Sequence, residues 1–281
     1  MSNRNVGDQY EKVSFNIFKE IKVNLKRYIF YPAFGMEKVQ KFIRKKDVKL
    51  SFIKKNPQMI SERPGVLVLP LPDHEDVYYL IMYKAACSSI MKAILHIDNK
   101  SLEDSRRVRE EREIALDNLS NLEHKEFFTF VRNPFPKLVS CYTDRVLRVD
   151  SFRYLFDGRL AASQIHDFKE FAKVISSIPD DIADGHFCSQ SYLLSTKDGT
   201  TLSNCYIGHF ESLVDDFEPL RKKYGFDELK YVNKSARSGK NWKDYYDLET
   251  MDIVYNRYKN DFELYGYTDE YQKLKDYIDH K

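Results

Sequence analysis

"YLIMYKAACSSIMKAIL", Tyr79–Leu95, is the stretch on which the fold turns. An apolar run stops at Lys84, passes through the small residues Ala85, Ala86 and Cys87 to Ser88 and Ser89, and resumes with the apolar spacing of a helix. A strand that feeds a helix through a tight turn leaves unpaired backbone N–H groups pointing at one spot, where the helix dipole also favours negative charge. A lysine and two serines at such a joint suit a phosphate or a sulfate.

Outward from this joint, the pattern repeats. "EFFTFV" (126–131) is a second buried strand ending in a basic residue, Arg132. "NPFPKLVSCYTDRVL" (133–147) then predicts a helix with Asn133 as its cap and Pro134 at its first position. "NCYIGHF" (204–210) is a third strand candidate, and "VLVLPLP" (66–72) is another short apolar run. Amphipathic helices are predicted over 167–176 and 212–225, the latter closed by Gly225. The highly charged segment 101–119 reads as an exposed helix or a lid, and 245–267 as one long amphipathic helix with an aromatic tail. Strands alternating with helices predict an α/β fold, a central parallel β-sheet flanked by helices on both faces.

A hydrophobic content of 42% over 281 residues suffices for a packed core. No apolar run reaches the roughly 18 residues that a membrane span needs. The first residues, "MSNRNVGDQYEKVS", lack the apolar core of a secretory signal, so a cytoplasmic location is expected. Cys87, Cys141, Cys188 and Cys205 lie far apart, which suggests buried thiols rather than a zinc site or a disulfide framework.

Between Glu11 and Lys55 there are 13 Lys/Arg against 4 Asp/Glu, a local +9 that leaves −7 for the rest of the +2 chain. Ile17, Ile21 and Leu25 recur there at helical spacing. We therefore divide the chain into a basic, helical extension (1–60) and one catalytic domain (61–281). The extension is either a solvated helix face or a contact for a polyanion or an anionic membrane.

In nucleoside triphosphatases of the G-x-x-x-x-G-K-[ST] type the lysine follows the loop, whereas here it precedes it. The order Lys84, small residues, Ser88-Ser89, helix resembles the 5′-phosphosulfate loop of the sulfotransferases that use 3′-phosphoadenosine 5′-phosphosulfate. "FVRNPFPKLVSCYTDR" (130–145) is similar to that superfamily's 3′-phosphate motif, an arginine ending a strand and a serine two turns into the next helix. A side chain eight residues on returns close to the same helix face, and an arginine fork suits a phosphate. Downstream, "GHFCSQSYLL" and "NCYIGHFESLVDDF" resemble the Golgi-type carbohydrate sulfotransferases, sulfotransferase family 2, in which a His-aromatic pair precedes an IG-[KH]-[FY]-E strand end. "VNKSARS" (232–238) and "YNRYKNDFELYGY" (255–267) are similar to that family's nucleotide-facing loop and terminal helix. The likeness covers Tyr79 to Tyr267 and implies the P-loop-like sulfotransferase fold.

Two departures stand out. The family's usual proline before the lysine is Tyr83 here, and a common loop glycine is Ala86. An alanine there implies that the loop closes without positive φ. The family's luminal cysteine pairs and membrane anchor are not evident either.

The resemblance implies roles residue by residue. Lys84 neutralises charge on the bridging and leaving oxygens. Ala85, Ala86, Cys87, Ser88 and Ser89 form the phosphosulfate loop, Arg132 and Ser140 bind the 3′-phosphate, and Lys234, Ser235 and Arg237 close over the nucleotide. The plain alternatives are a surface lysine, a helix-capping serine, an ordinary ion pair and a generic basic loop. His186, at the His-aromatic position, is the first candidate for the general base. His209 is the second, with Glu211 and Asp144 behind it. Trp242 and the tyrosines serve either as sugar platforms or as core.

The resulting expectation is a sulfotransferase moving a sulfuryl group from 3′-phosphoadenosine 5′-phosphosulfate to a carbohydrate or glycolipid hydroxyl. No metal, no nucleic acid, and peripheral contact with an anionic membrane complete it. The alternatives are a magnesium-dependent small-molecule or nucleotide kinase, and a non-catalytic nucleotide- or polyanion-binding relative.

Overall fold

A computed structural model of the chain describes residues 66–97, 108, 110–147, 165, 167–180, 183–196, 199, 201–230 and 240–281. The basic extension and the candidates Lys234, Ser235 and Arg237 lie outside these residues.

Five strands form one sheet: β1 (Leu67–Pro70), β2 (Val77–Leu80), β3 (Ile114–Ala115), β4 (Glu126–Val131) and β5 (Cys205–His209), in the order β3-β1-β2-β4-β5. β2, β4 and β5 run parallel, with Val77 opposite Glu126 and Val131 opposite His209. The expected parallel sheet is this central part, and β1 and β3 extend it antiparallel. Only six residues separate Pro70 from Val77, too few for the crossover that a parallel pair needs.

The apolar run of β4 shows why the sheet is covered twice. Phe127 and Val131 point into one cluster with Phe135, Leu138 and Phe171, while Phe128 and Phe130 point into another with Ile90, Phe217 and Phe226. Both faces are buried, so no polar alternation remains. Thr129, the one buried polar residue of β4, donates its hydroxyl to the Leu80 carbonyl at 2.9 Å. Each such buried aromatic or aliphatic side chain contributes about 1.5–3 kcal/mol.

On the Phe128 face lie α1 (Cys87–Ile94) and, later in the chain, the helix Leu213–Tyr224. The opposite face carries α2 (Pro134–Arg145), α3 (Phe168–Ser176) and the short α4 (Gln190–Leu193). Counting Leu213–Tyr224 as α5, the C-terminal helices α6 (Leu248–Arg257), α7 (Lys259–Leu264) and α8 (Asp269–Asp279) complete that layer. The Asn133 side chain caps α2 by accepting from the Phe135 N–H, with Pro134 following it, and Asp167 caps α3. Gly225, at φ 72°, ends α5.

Two expectations are corrected. The long helix expected over 245–267 is broken at Tyr258, where ψ is 24°, and again at Tyr265. The break carries Tyr258, Asp261 and Phe262 into the interior, where all three are at most 3% exposed. The charged segment 101–119 is not exposed helix throughout: among its described residues Ile114 and Ala115 pair with β1, and the short 3-10 turn Leu116–Asn118 that follows buries Leu116.

Candidate active site

The first joint lies beyond the C-terminal end of β2. Ile81 still bonds to Leu67, after which Lys84 and Ala86 both take left-handed backbone, at φ 67° and 60°. The alanine therefore does not exclude positive φ, as its Cβ led us to expect. The chain must reverse and enter α1 at once, and the Ala86 carbonyl receives the N–H groups of Ser89 and Ile90 at 2.9 and 3.1 Å. Left-handed backbone at alanine costs about 1–2 kcal/mol. Neither Ser88 nor Ser89 is the cap of α1, which makes no side-chain capping bond. Both sit in its first turn.

The second joint meets the first. Arg132, one residue past β4, donates from Nη1 to the Lys84 carbonyl at 2.9 Å. Lys84 Nζ lies 3.1 Å from Asp144 Oδ2 of α2. Ser140 stands one turn before Asp144 and so shares the helix face that Asp144 presents to Lys84. Lys84 and Arg132 are thus brought together although 48 residues of sequence separate them.

Arg132 carries the sharpest signal. Its guanidinium packs 4.1 Å from the centre of the Phe210 ring. Its Nε is buried with no hydrogen-bond partner. Burial lowers its pKa to about 10, with the nearby Glu211 carboxylate opposing that shift, so it remains a cation at neutral pH. A buried guanidinium with an unmet N–H fits a phosphate, which accepts from such a fork.

The joint is held from several sides by residues that sequence reasoning did not assign. The Arg132 N–H donates to Gln190 Oε1, and Gln190 Nε2 donates to the Arg132 carbonyl, both at 2.8 Å. Asp261 in turn accepts from the backbone of Gln190 and Ser191. The Asn133 N–H donates to Glu211 Oε1, and the Tyr267 hydroxyl donates to Glu211 Oε2. Gln190 lies within the quoted "GHFCSQSYLL", yet nothing in the local pattern points to it.

Among the base candidates, His186 stands beside the loop. Its ring stacks on Tyr83, with centroids 4.2 Å apart and planes at 24°, and Tyr83 directly precedes Lys84. His186 Nδ1 lies 2.7 Å from Asp184 Oδ1, which also accepts the His186 N–H at 2.8 Å. With the proton on Nδ1, the basic lone pair is on Nε2. His209 is placed otherwise: its Nε2 is 3.1 Å from the Tyr265 carbonyl, a contact that requires that nitrogen to donate. Glu211 already accepts from two donors, and Asp144 is paired with Lys84.

Among the described residues no group of three or more His, Cys, Asp or Glu side chains is placed to hold a metal ion. Cys141 and Cys188 are buried, whereas Cys87 and Cys205 are partly exposed, and none of the four forms a disulfide. Trp242 lies partly buried against the core, edge-on to Tyr246. Among the described residues no helix is long and apolar enough to cross a membrane.

Adjacent parallel strands that each lead into a basic, helix-starting joint at their C-terminal ends form the kind of α/β crevice in which ligands bind. Residues 71–268 match the family model described as the sulfotransferase family. The chain belongs to that family, its fold is the α/β sulfotransferase fold, and it is a transferase of that class. Neither a search of curated proteins nor one of solved structures found a match.

Proposed function

We propose that the protein transfers the sulfuryl group of 3′-phosphoadenosine 5′-phosphosulfate to a hydroxyl of a carbohydrate or glycolipid. The single observation that carries this is the buried Arg132 guanidinium, whose Nε lacks a partner and whose Nη1 is tied to the Lys84 loop.

In this proposal Arg132 and Ser140 bind the 3′-phosphate, and the turn from Ala85 to Ser89 offers N–H and hydroxyl donors to the 5′-phosphosulfate. Lys234, Ser235 and Arg237 close over the nucleotide. His186 Nε2 accepts the proton of the attacking hydroxyl as the new oxygen–sulfur bond forms. Lys84 neutralises the charge gathering on the phosphate oxygen as the old sulfur–oxygen bond breaks. Such a transfer depends on alignment and on neutralisation of charge, as phosphoryl transfer does. Lysine and arginine supply that neutralisation without a metal.

We place the enzyme in the cytoplasm, with its basic segment Glu11–Lys55 in peripheral contact with anionic lipid, on the strength of that segment's charge. Sedimentation with phosphatidylserine vesicles at low salt tests the contact, and protein left entirely in the supernatant overturns it.

The donor is tested by calorimetric titration with adenosine 3′,5′-bisphosphate in the absence of metal. Micromolar or tighter binding that collapses in Arg132→Ala is expected. No binding by folded wild type overturns the proposal and turns attention to ATP with magnesium.

A further inference from the structure

We propose that Gln190, seated on the buried carboxylate of Asp261, is a positioning residue that aims the Arg132 guanidinium at the donor's 3′-phosphate. This rests on the donor assignment made above. β4 and β5 stop pairing at Val131 and His209, so Arg132 is the first residue whose main chain has lost its strand neighbour. Gln190 takes that neighbour's place. Its amide accepts from the Arg132 N–H and donates to the Arg132 carbonyl, both at 2.8 Å, as an adjoining strand would.

Gln190 has no freedom of its own. It is fully buried, its backbone N–H donates to Asp261 Oδ2 at 2.8 Å, and the next N–H, that of Ser191, donates to Asp261 Oδ1 at 2.8 Å. Asp261 is also fully buried, on α7, in the field of the buried Lys137. Gln190 therefore fixes the arginine's main chain, the Lys84 carbonyl holds one terminal nitrogen, and the Phe210 ring covers a face of the guanidinium. Nε is the nitrogen left buried without a partner. Three constraints from three parts of the chain converge on one side chain, which is how a charged fork is held ready before its ligand arrives.

The consequence is selective. Loosening Gln190 should blunt recognition of the 3′-phosphate while leaving the 5′-side loop intact. The test compares calorimetric affinities for adenosine 3′,5′-bisphosphate and adenosine 5′-monophosphate, which lacks the 3′-phosphate, in wild type, Gln190→Leu and Gln190→Asn. Leucine keeps the volume and removes both bonds to Arg132 together with the longer one from Nε2 to Asp261 at 3.4 Å, whereas asparagine keeps the amide but is one methylene too short to bridge Arg132. The expected result is a preference for the bisphosphate reduced at least about tenfold in the variants, with affinity for the monophosphate unchanged. Retained monophosphate binding also reports that the variants fold, and Gln190→Asn serves if the leucine variant does not. A preference kept in either folded variant overturns the positioning role alone. A wild type that binds both nucleotides equally overturns the donor assignment, and the positioning role falls with it.

Discussion

The ammonium of Lys84 and the carboxylate of Asp144 lie 3.1 Å apart, joining the turn before α1 to the last turns of α2. Both side chains are mostly shielded, at 15% and 27% exposure. Asp144 therefore directs the lysine and, in doing so, places a negative charge beside the proposed anion site.

Removing that charge should tighten nucleotide binding. A partly shielded pair of this kind is worth about 1 kcal/mol, so Asp144→Asn should lower the Kd for adenosine 3′,5′-bisphosphate about fivefold, while Lys84→Ala raises it. Titration calorimetry at low salt reads both. Weaker binding in Asp144→Asn would mean that aiming Lys84 outweighs the repulsion.

His186 should matter to turnover and not to nucleotide affinity. A positioned general base contributes roughly 10²–10⁴-fold, so His186→Ala should lower kcat by that order with bisphosphate binding intact. Tyr83→Phe keeps the stacked ring and should keep most of the rate, whereas Asp184→Asn disturbs the tautomer and should lie between. Undiminished kcat in His186→Ala would pass the role to Asp144 or Glu211.

Ala86 holds left-handed backbone that glycine adopts without cost. Ala86→Gly should stabilise the fold by about 1 kcal/mol, a rise of about 2–4 °C in Tm by calorimetry. A fall in Tm would show that the alanine methyl, half-buried against the α1 side of the core, contributes more than the backbone strain removes.

Gly208 in β5 predicts the opposite sign. A Cβ there would come within 2.5 Å of the Phe130 ring, which is fully buried. Gly208→Ala should cost about 1–3 kcal/mol, measurable as a lower urea midpoint with an unchanged m-value. The close approach also gives a physical reason for a glycine in the IG-x-x-E strand end.

Asp247 caps α6 through the Thr250 N–H and pairs with Lys169 of α3 at 2.8 Å. Burial pushes its pKa up, but Lys169 and Thr250 pull it further down, to about 2. A carboxyl whose folded pKa is depressed stabilises the protein above its ordinary pKa near 4, and that share is lost as pH falls toward 2. More than half of the side chain is exposed, so the share is small, about 0.5–1 kcal/mol. Asp247→Asn should keep the cap and flatten the acid limb of a stability–pH curve. An unaltered limb would assign the acid sensitivity elsewhere.

Much of the scaffold was legible in local pattern. Asn133 and Pro134 announce α2, Asp167 starts α3, Gly225 stops α5, and the runs 126–131 and 204–210 mark β4 and β5 within a residue. Caps, turns and apolar periodicity act between neighbours in the chain, so a sequence records them directly. The two basic joints, and the family they indicate, were legible for the same reason. The break at Tyr258 was not, since the residues there keep a helical apolar spacing and the departure from it satisfies buried partners far away, such as the Phe187 carbonyl that receives the Tyr258 hydroxyl.

The sequence by itself thus determined the α/β class and the residue types at the proposed anion site. Only the tertiary structure decided their placement. His186 and not His209 stands by the loop because Tyr83 stacks on one and the Tyr265 carbonyl occupies the other. The main chain of Arg132 is held by a glutamine 58 residues away, and its guanidinium is tied to a lysine carbonyl 48 residues away. Contacts of that range follow from how helices pack on a two-faced sheet, a property of the whole chain's buried surface and not of any short stretch of it.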